Sequence, residues 1–544
     1  MSIFPLFPRL GLLLLMGLSG WPTAASADDP LGQNGAMTSY GLMPADHFIT
    51  TSGACADCGA LPQALWYFRA ETIAVPAPGA PVAGFARGLP VAEDLARWAG
   101  GYSPGVPMAY PPLVWIGSPL VERHAAIDIS ATTLRTGAGR LALRLTPRLP
   151  LNKSWFDVSS AAFFHGRPVK VRGTREDGAF VARTLWPEDF LLPAEPPAEP
   201  RIASASTIRD WVRAQPQGGA RSPFAVESVW RRAGAPAPRS GQPLIGLMLN
   251  GAQGDDDEAH GGHFALITGR VGTDGAMDDW LVNNFYSLDS ESEKGIIAAP
   301  VPLDNYLGDL NSGQGWYRPS YMLVATLREE RAATHIQSAL GRVYNQFYRH
   351  QFAYEHAGAN CAGISVTTLR ALGWQVPARG PESWLKAIPA LPLVAVKERS
   401  LKNGKAVFDY LTEDRTKLYP AAAFEEIAAD LMNLAAGSTG RPLNHLERIL
   451  AEDLEEILLV RVPQFPSSRA WGDWPVESST EYQARVPADP ALQQIIPVPP
   501  RPFPEELRDP QTPREPPLRS EIAVLAWGVA LLGGLLLILR RLLA

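Results

Sequence analysis

The chain has 544 residues, a formal net charge of -6, 51 prolines and three cysteines. At about 150 residues per domain this length accommodates several domains, and the mild acidity, without any basic block, argues against a nucleic-acid partner. The apolar share of 46% is sufficient for a sizeable core.

Arg9 precedes an apolar run at 10–18 and the small residues Ala24, Ser26 and Ala27, the layout of a signal peptide over 1–27. From 28 to 190, β-type runs at 113–116, 141–145 and 169–171 alternate with Gly and Pro turns and predict a β-rich module. Trp66, Trp98, Trp115 and Trp155 fall here and are expected to serve packing. Cys55 and Cys58 are spaced for a small local disulfide or an idle pair, with Cys361 left as the odd thiol.

A Pro-rich break at 191–201 opens a second predicted domain, 201–380. Its signals are a short helix at 208–214, β-type runs at 244–249, 264–270, 280–284 and 321–327, and a long helix at about 329–352. A further helix at 361–372 is closed by Gly373. Residues 381–486, with helical patterns at 424–434 and 443–458, read as a mainly helical extension, and the Pro-rich stretch 487–520 reads as an extended stalk.

The apolar run 522–539 spans about 27 Å as a helix, so a transmembrane helix is expected at 521–541. Arg540 and Arg541 follow it, which by the positive-inside rule places them in the cytoplasm. Together with the signal peptide, this predicts a single-pass bacterial inner-membrane protein. Its main body would lie in the periplasm, with the lipid bilayer as a partner.

The chemistry centres on Cys361. Gly358 and Asn360 supply turn and cap character, so the cysteine opens a helix. The unpaired N–H groups and dipole of a helix N-terminus favour thiolate and predict a depressed thiol pKa. The same N–H groups can stabilise an oxyanion. The base expected for this nucleophile is His263, which follows Gly261 and Gly262 and opens the strand 264–267. His260 is the competing loop histidine. The acidic stretch Asp255, Asp256, Asp257 and Glu258, with the two histidines, offers metal ligands, but it lacks HExxH and calcium-loop spacing. The reading therefore assigns no metal and no cofactor.

A strand-borne histidine in GGHFALITG (261–269), followed by Asn-Cys opening a helix in NCAGISVTTLRALG (360–373), resembles the circularly permuted papain-like superfamily. That superfamily includes lecithin retinol acyltransferase-like proteins and the periplasmic domain of lipoprotein intramolecular transacylases. Tyr344, Phe347 and Tyr348 resemble the tyrosine-containing run before the family cysteine. The likeness covers about 130 residues, 244–374. It implies an α+β fold: a permuted papain-like domain of antiparallel sheet plus helices, here beside the β-rich module and the C-terminal transmembrane helix.

The resemblance also implies a third polar residue that orients the histidine. Asn283 and Asn284 fall where it is expected, and only one can face His263 because side chains alternate along a strand. Asn283 is the slightly favoured choice. The implied activity is that of a membrane-tethered thiol hydrolase or acyltransferase working through an acyl-enzyme on amide, ester or thioester bonds. Cell-wall peptides, lipids and lipoproteins are the implied substrates. The competing reading is a non-catalytic papain-like scaffold in an envelope assembly.

Overall fold

In the computed structural model, residues 37–55, 58–149, 152, 154–194, 205–235, 240–252, 261–288, 297–485, 489 and 503–509 are described. Five strands in the N-terminal half close into a barrel: β1 (Leu120–Ile127), β2 (Thr133–Thr136), β3 (Gly139–Leu145), β4 (Val169–Glu176) and β5 (Ala179–Pro187). Their order around the barrel is β1-β2-β3-β5-β4, with β3 and β5 parallel and the other pairs antiparallel. Ile127, Leu134, Leu143, Val169, Val171 and Phe180 are buried in its core.

Next to the barrel lies a seven-stranded, wholly antiparallel sheet. In chain order its strands are β6 (Ala225–Arg231), β7 (Pro243–Asn250), β8 (His263–Arg270), β9 (Leu281–Asn283), β10 (Pro300–Pro302), β11 (Ser320–Leu327) and β12 (Leu454–Val462). Across the sheet they run β6-β12-β11-β7-β8-β9-β10. Strands β7, β11 and β12 are buried along their whole length, so both faces of the central sheet are covered. The surrounding helices include α1 (Arg331–Tyr348), α2 (Cys361–Ala371), α3 (Trp384–Lys397), α4 (Leu401–Thr412), α5 (Pro420–Ala436) and α6 (His445–Asp453).

Several expectations are corrected. The helical pattern expected over 443–458 ends at Asp453, and the chain continues as β12. Ile457, Leu458, Leu459 and Val460 form an unbroken apolar run, which suits a strand buried on both faces. Because β12 lies between β6 and β11, the stretch 381–486 is not an appendage to 201–380 but completes its sheet. Nor do residues 503–509 extend away as a stalk. Phe503 stacks on Tyr67 and packs at a tilt against the His350 ring, and Gln63 donates to the Leu507 carbonyl at 2.9 Å.

The membrane-spanning helix in the expected fold is corrected as well. No helix among the described residues is long and apolar enough to cross a membrane. The run 521–541, like the expected signal peptide 1–27, lies outside those residues. The transmembrane assignment and the inner-membrane placement are therefore not carried forward.

The barrel and the sheet share one apolar core. They are also joined by charge. Lys170 and Arg172 project from β4 toward the sheet and are fully buried there, where unpaired charges would be prohibitively costly. Lys170 is bonded to Asp278, to Asp279 at 2.7 Å and to Asp304 at 3.0 Å, and Arg172 Nε reaches Asp304 at 2.6 Å. Replacing Lys170 with Met leaves this carboxylate cluster without its central cation. The expected result is a loss of about 3–5 kcal/mol in denaturant-induced unfolding, and an unchanged midpoint and slope would show that the cluster does not join the two halves.

Candidate active site

The nucleophile candidate occupies the first position of α2. Asn360 caps the helix in extended backbone, its side-chain oxygen accepting from Gly363 N at 2.8 Å. Its amide nitrogen donates to the His356 and Leu418 carbonyls at 2.9 and 3.0 Å. Glycine is required at 363 because a Cβ there would meet the Gly358 carbonyl oxygen at 2.4 Å. The cap and this close approach fix the start of the helix, and with it Cys361. Cys55 and Cys58 are disulfide-bonded, and Cys361 is a free, buried thiol.

His263 opens β8 directly after Gly262, whose φ of +82° lies in the left-handed region. A side chain at 262 would also meet Pro475 and the Asn250 carbonyl oxygen, at 2.5 and 2.8 Å. His263 pairs across the sheet with Asn250.

The register of β8 against β9 decides between the two asparagines. Leu266 lies opposite Asn283, and paired residues share a face. Position 266 is three residues from His263 and therefore on the opposite face, so Asn283 points away from the histidine. It bonds instead to the Leu266 carbonyl at 3.3 Å and to Gln337 of α1 at 3.2 Å. Asn284 faces the ring, with His263 Nε2 and Asn284 Oδ1 2.5 Å apart. The slight preference for Asn283 is thereby reversed.

Asn284 is itself immobilised. Its Nδ2 donates to the Ile297 carbonyl at 2.5 Å, its backbone N donates to Ala299 at 3.2 Å, and its carbonyl accepts from the Tyr344 hydroxyl at 3.0 Å. Because Nδ2 is the donor to Ile297, Oδ1 is the atom presented to the imidazole and Nε2 must carry the hydrogen. Nδ1 is then the nitrogen with the lone pair. Tyr348, one turn beyond Tyr344 on α1, bonds the adjoining Ala298 carbonyl at 3.1 Å.

Cys361 and His263 line one cavity of about 390 Å³, with Arg318, Tyr286, Tyr354, His356 and Asn360 among its other walls. The Phe264 and Ala362 backbone N–H groups and the Tyr354 hydroxyl lie close to the Cys361 thiol and favour its ionised form. Phe264 adjoins His263 in sequence, which brings the thiol to the start of β8. Arg318, Tyr354 and His356 were missed from sequence. Tyr354 had a weak signal, seven residues before the cysteine, whereas nothing near Arg318 in the chain points to a site.

The electrostatics correct a second expectation. Burial pushes the Cys361 thiol up, and the hydrogen bonds from Phe264, Ala362 and Tyr354 and the nearby charge of Arg318 offset this only in part. The depressed thiol pKa expected from the helix N-terminus is absent because desolvation outweighs the dipole. Burial likewise pushes His263 down to about 3, helped by the positive charge of Arg318 and opposed by the bond to Asn284. At neutral pH the resting pair is thiol and neutral imidazole.

His260 and the stretch Asp255 to Glu258 lie outside the described residues. Among the described residues no cluster of three or more His, Cys, Asp or Glu is placed to hold a metal. Comparison of the chain with protein-family models, curated proteins and solved structures finds no match in any of the three.

The unfolded chain takes up the His263 proton near the ordinary pH of 6.5, while the folded protein resists until about 3. This residue's contribution to stability is therefore complete above pH 6.5 and is lost as pH falls toward 3. Nitrogen-15 NMR of labelled histidine should show His263 as the neutral Nε2–H tautomer from pH 8 down to about 4. An imidazolium signal for this residue at pH 6 would contradict the assignment.

Proposed function

We propose that the protein is a thiol hydrolase or acyltransferase that works through a Cys361 acyl-enzyme, with His263 as base and Asn284 as the residue that positions the imidazole. The observation that carries this reading is the His263–Asn284 bond, which leaves Nδ1 unprotonated on a histidine that lines the same cavity as Cys361. The order of strand histidine and helix-start cysteine supports the relation to the permuted papain-like superfamily.

The resting pair is neutral, so the thiol is activated during attack rather than beforehand. The thiol proton passes to His263 Nδ1 as sulfur bonds to the carbonyl carbon of an amide, ester or thioester. The resulting oxyanion collapses, and the leaving group departs with the proton from Nδ1. Water or an acceptor hydroxyl or amine then attacks the thioester, giving its proton to Nδ1, and the returning sulfur recovers it. Transferring one proton inside the pair leaves the net charge of the buried site unchanged. The Asn284 oxygen bonds Nε2–H in both charge states of the ring.

The test is acylation by p-nitrophenyl esters, followed by mass spectrometry of the intact protein. A single acyl group on Cys361 is expected, absent from Cys361→Ala and formed at least about 100-fold more slowly by His263→Ala. A folded wild-type protein that forms no adduct, or a His263→Ala variant that acylates normally, would favour the scaffold reading.

The two asparagines separate positioning from packing. Asn284→Ala should slow acylation at neutral pH without reducing the amount of folded protein. Asn283→Ala should lower thermal stability while leaving the acylation rate of the folded fraction unchanged. If the two effects are exchanged, the register argument fails.

A further inference from the structure

Helices α3 and α4 form a hairpin that packs chiefly on itself. Their inner faces meet closely: a Cβ at Gly404 of α4 would lie 2.5 Å from the Leu391 carbonyl oxygen and 2.8 Å from the Ala395 Cβ of α3. Ser383 and Ser400 cap the two helices, their side chains accepting from Lys386 N at 3.2 Å and Asn403 N at 3.1 Å. The outer face of α3 is uncovered. Leu385 is 85% exposed and Val396 79%, Trp384, Ile388 and Leu393 are exposed too, and Ala387 alone is buried in this helix. Leu385, Ile388, Pro389, Leu393 and Val396 recur at helical spacing and so form one apolar stripe. A contiguous exposed stripe of this kind marks an interaction surface.

The hairpin is also basic within an acidic chain. Residues 384–412 hold Lys386, Lys397, Arg399, Lys402 and Lys405 against Glu398 and Asp409, a net charge of +3 where the whole chain carries -6. All five cations are exposed, and Asp409 pairs with Lys405. Lys386 and Lys397 each follow a residue of the stripe, Leu385 and Val396. Their long stems can lie along apolar surface while the ammonium groups reach outward to anions. A second copy of the hairpin would bring the same positive charge against itself, so charge complementarity favours an anionic partner over self-association.

We infer that α3 docks on an anionic lipid surface, with its apolar stripe in the boundary between headgroups and acyl chains and its lysines among the headgroups. At 14 residues α3 is about 21 Å long, too short for a hydrocarbon core of about 30 Å, so it lies on the surface and does not span it. The root of the hairpin reaches the cavity that holds Cys361: Tyr410 of α4 lines that cavity and donates to the Tyr419 hydroxyl at 3.0 Å. Docking therefore keeps the cavity within roughly one length of α3, about 21 Å, of the lipid. The inference concerns the hairpin alone and stands whether or not Cys361 forms an acyl-enzyme.

The test puts a reporter on the stripe of the full chain. Val396→Cys combined with Cys361→Ala carries one free thiol, because Cys55 and Cys58 are joined in a disulfide. That thiol is labelled with an environment-sensitive nitrobenzoxadiazole dye. Vesicles of phosphatidylcholine and phosphatidylglycerol in equal parts should raise its fluorescence at least about threefold, and nitroxides on the acyl chains should quench it. Vesicles of phosphatidylcholine alone should give less than about a third of that rise, and salt at about 1 M should suppress it. The same dye at Asp177→Cys, in the exposed turn between β4 and β5, should stay in water.

Each dye reports its own position, so attachment to vesicles through any other segment leaves the signal at 396 unchanged, and that result overturns the inference. An equal rise on phosphatidylcholine alone overturns it as well. So does a rise that appears without vesicles as protein concentration grows, which would assign the stripe to a second copy. Acylation of Cys361 by p-nitrophenyl esters needs no lipid, so the two readings fail separately.

Discussion

Antiparallel pairing of β8 with β9 puts Leu266 opposite Asn283, and the rest of the site follows from that register. A shift of one residue would turn Asn283 toward His263 and Asn284 toward α1, exchanging the ring's partner for a residue now bonded to Gln337. The Phe264 amide of the same strand lies close to the Cys361 thiol. One sheet register therefore orients the base and helps to locate the nucleophile.

The barrel supports this register from outside. Asp278 and Asp279 come just before β9, and Asp304 follows β10, so Lys170 and Arg172 of the barrel hold both ends of the β9–β10 hairpin. Between these anchors run Asn284 and the Ile297 and Ala299 carbonyls that immobilise it. The N-terminal half thus contributes to the geometry of the site although no side chain of the barrel is among the described residues lining the cavity.

Burial gives the site a particular chemical character. A helix N-terminus and the nearby Phe264, Ala362 and Tyr354 donor groups favour thiolate, yet the cost of desolvating an isolated charge is larger, and it acts on thiol and imidazole in opposite senses. Both groups are consequently neutral at rest. Such a pair is poorly reactive toward passing electrophiles and becomes nucleophilic only when a carbonyl can accept electron density as the proton moves.

Much of the site was legible in the sequence where local chemistry was sufficient. Gly358 and Asn360, as turn and cap, mark Cys361 as a helix start, and Gly261 and Gly262 mark His263 as a strand start. Other features were not legible because they depend on surfaces that meet from distant parts of the chain. The choice of Asn284 over Asn283 required the strand register. The raised thiol pKa required knowing how deeply α2 is covered, and β12 became a strand because the sheet has a place for it between β6 and β11. Arg318 and Tyr354 reach the cavity through tertiary packing alone. By itself the sequence determined the caps, turns and periodicities that set each backbone element. Tertiary structure decided which faces meet and how much water they exclude, because register and desolvation belong to pairs of surfaces and to no single segment.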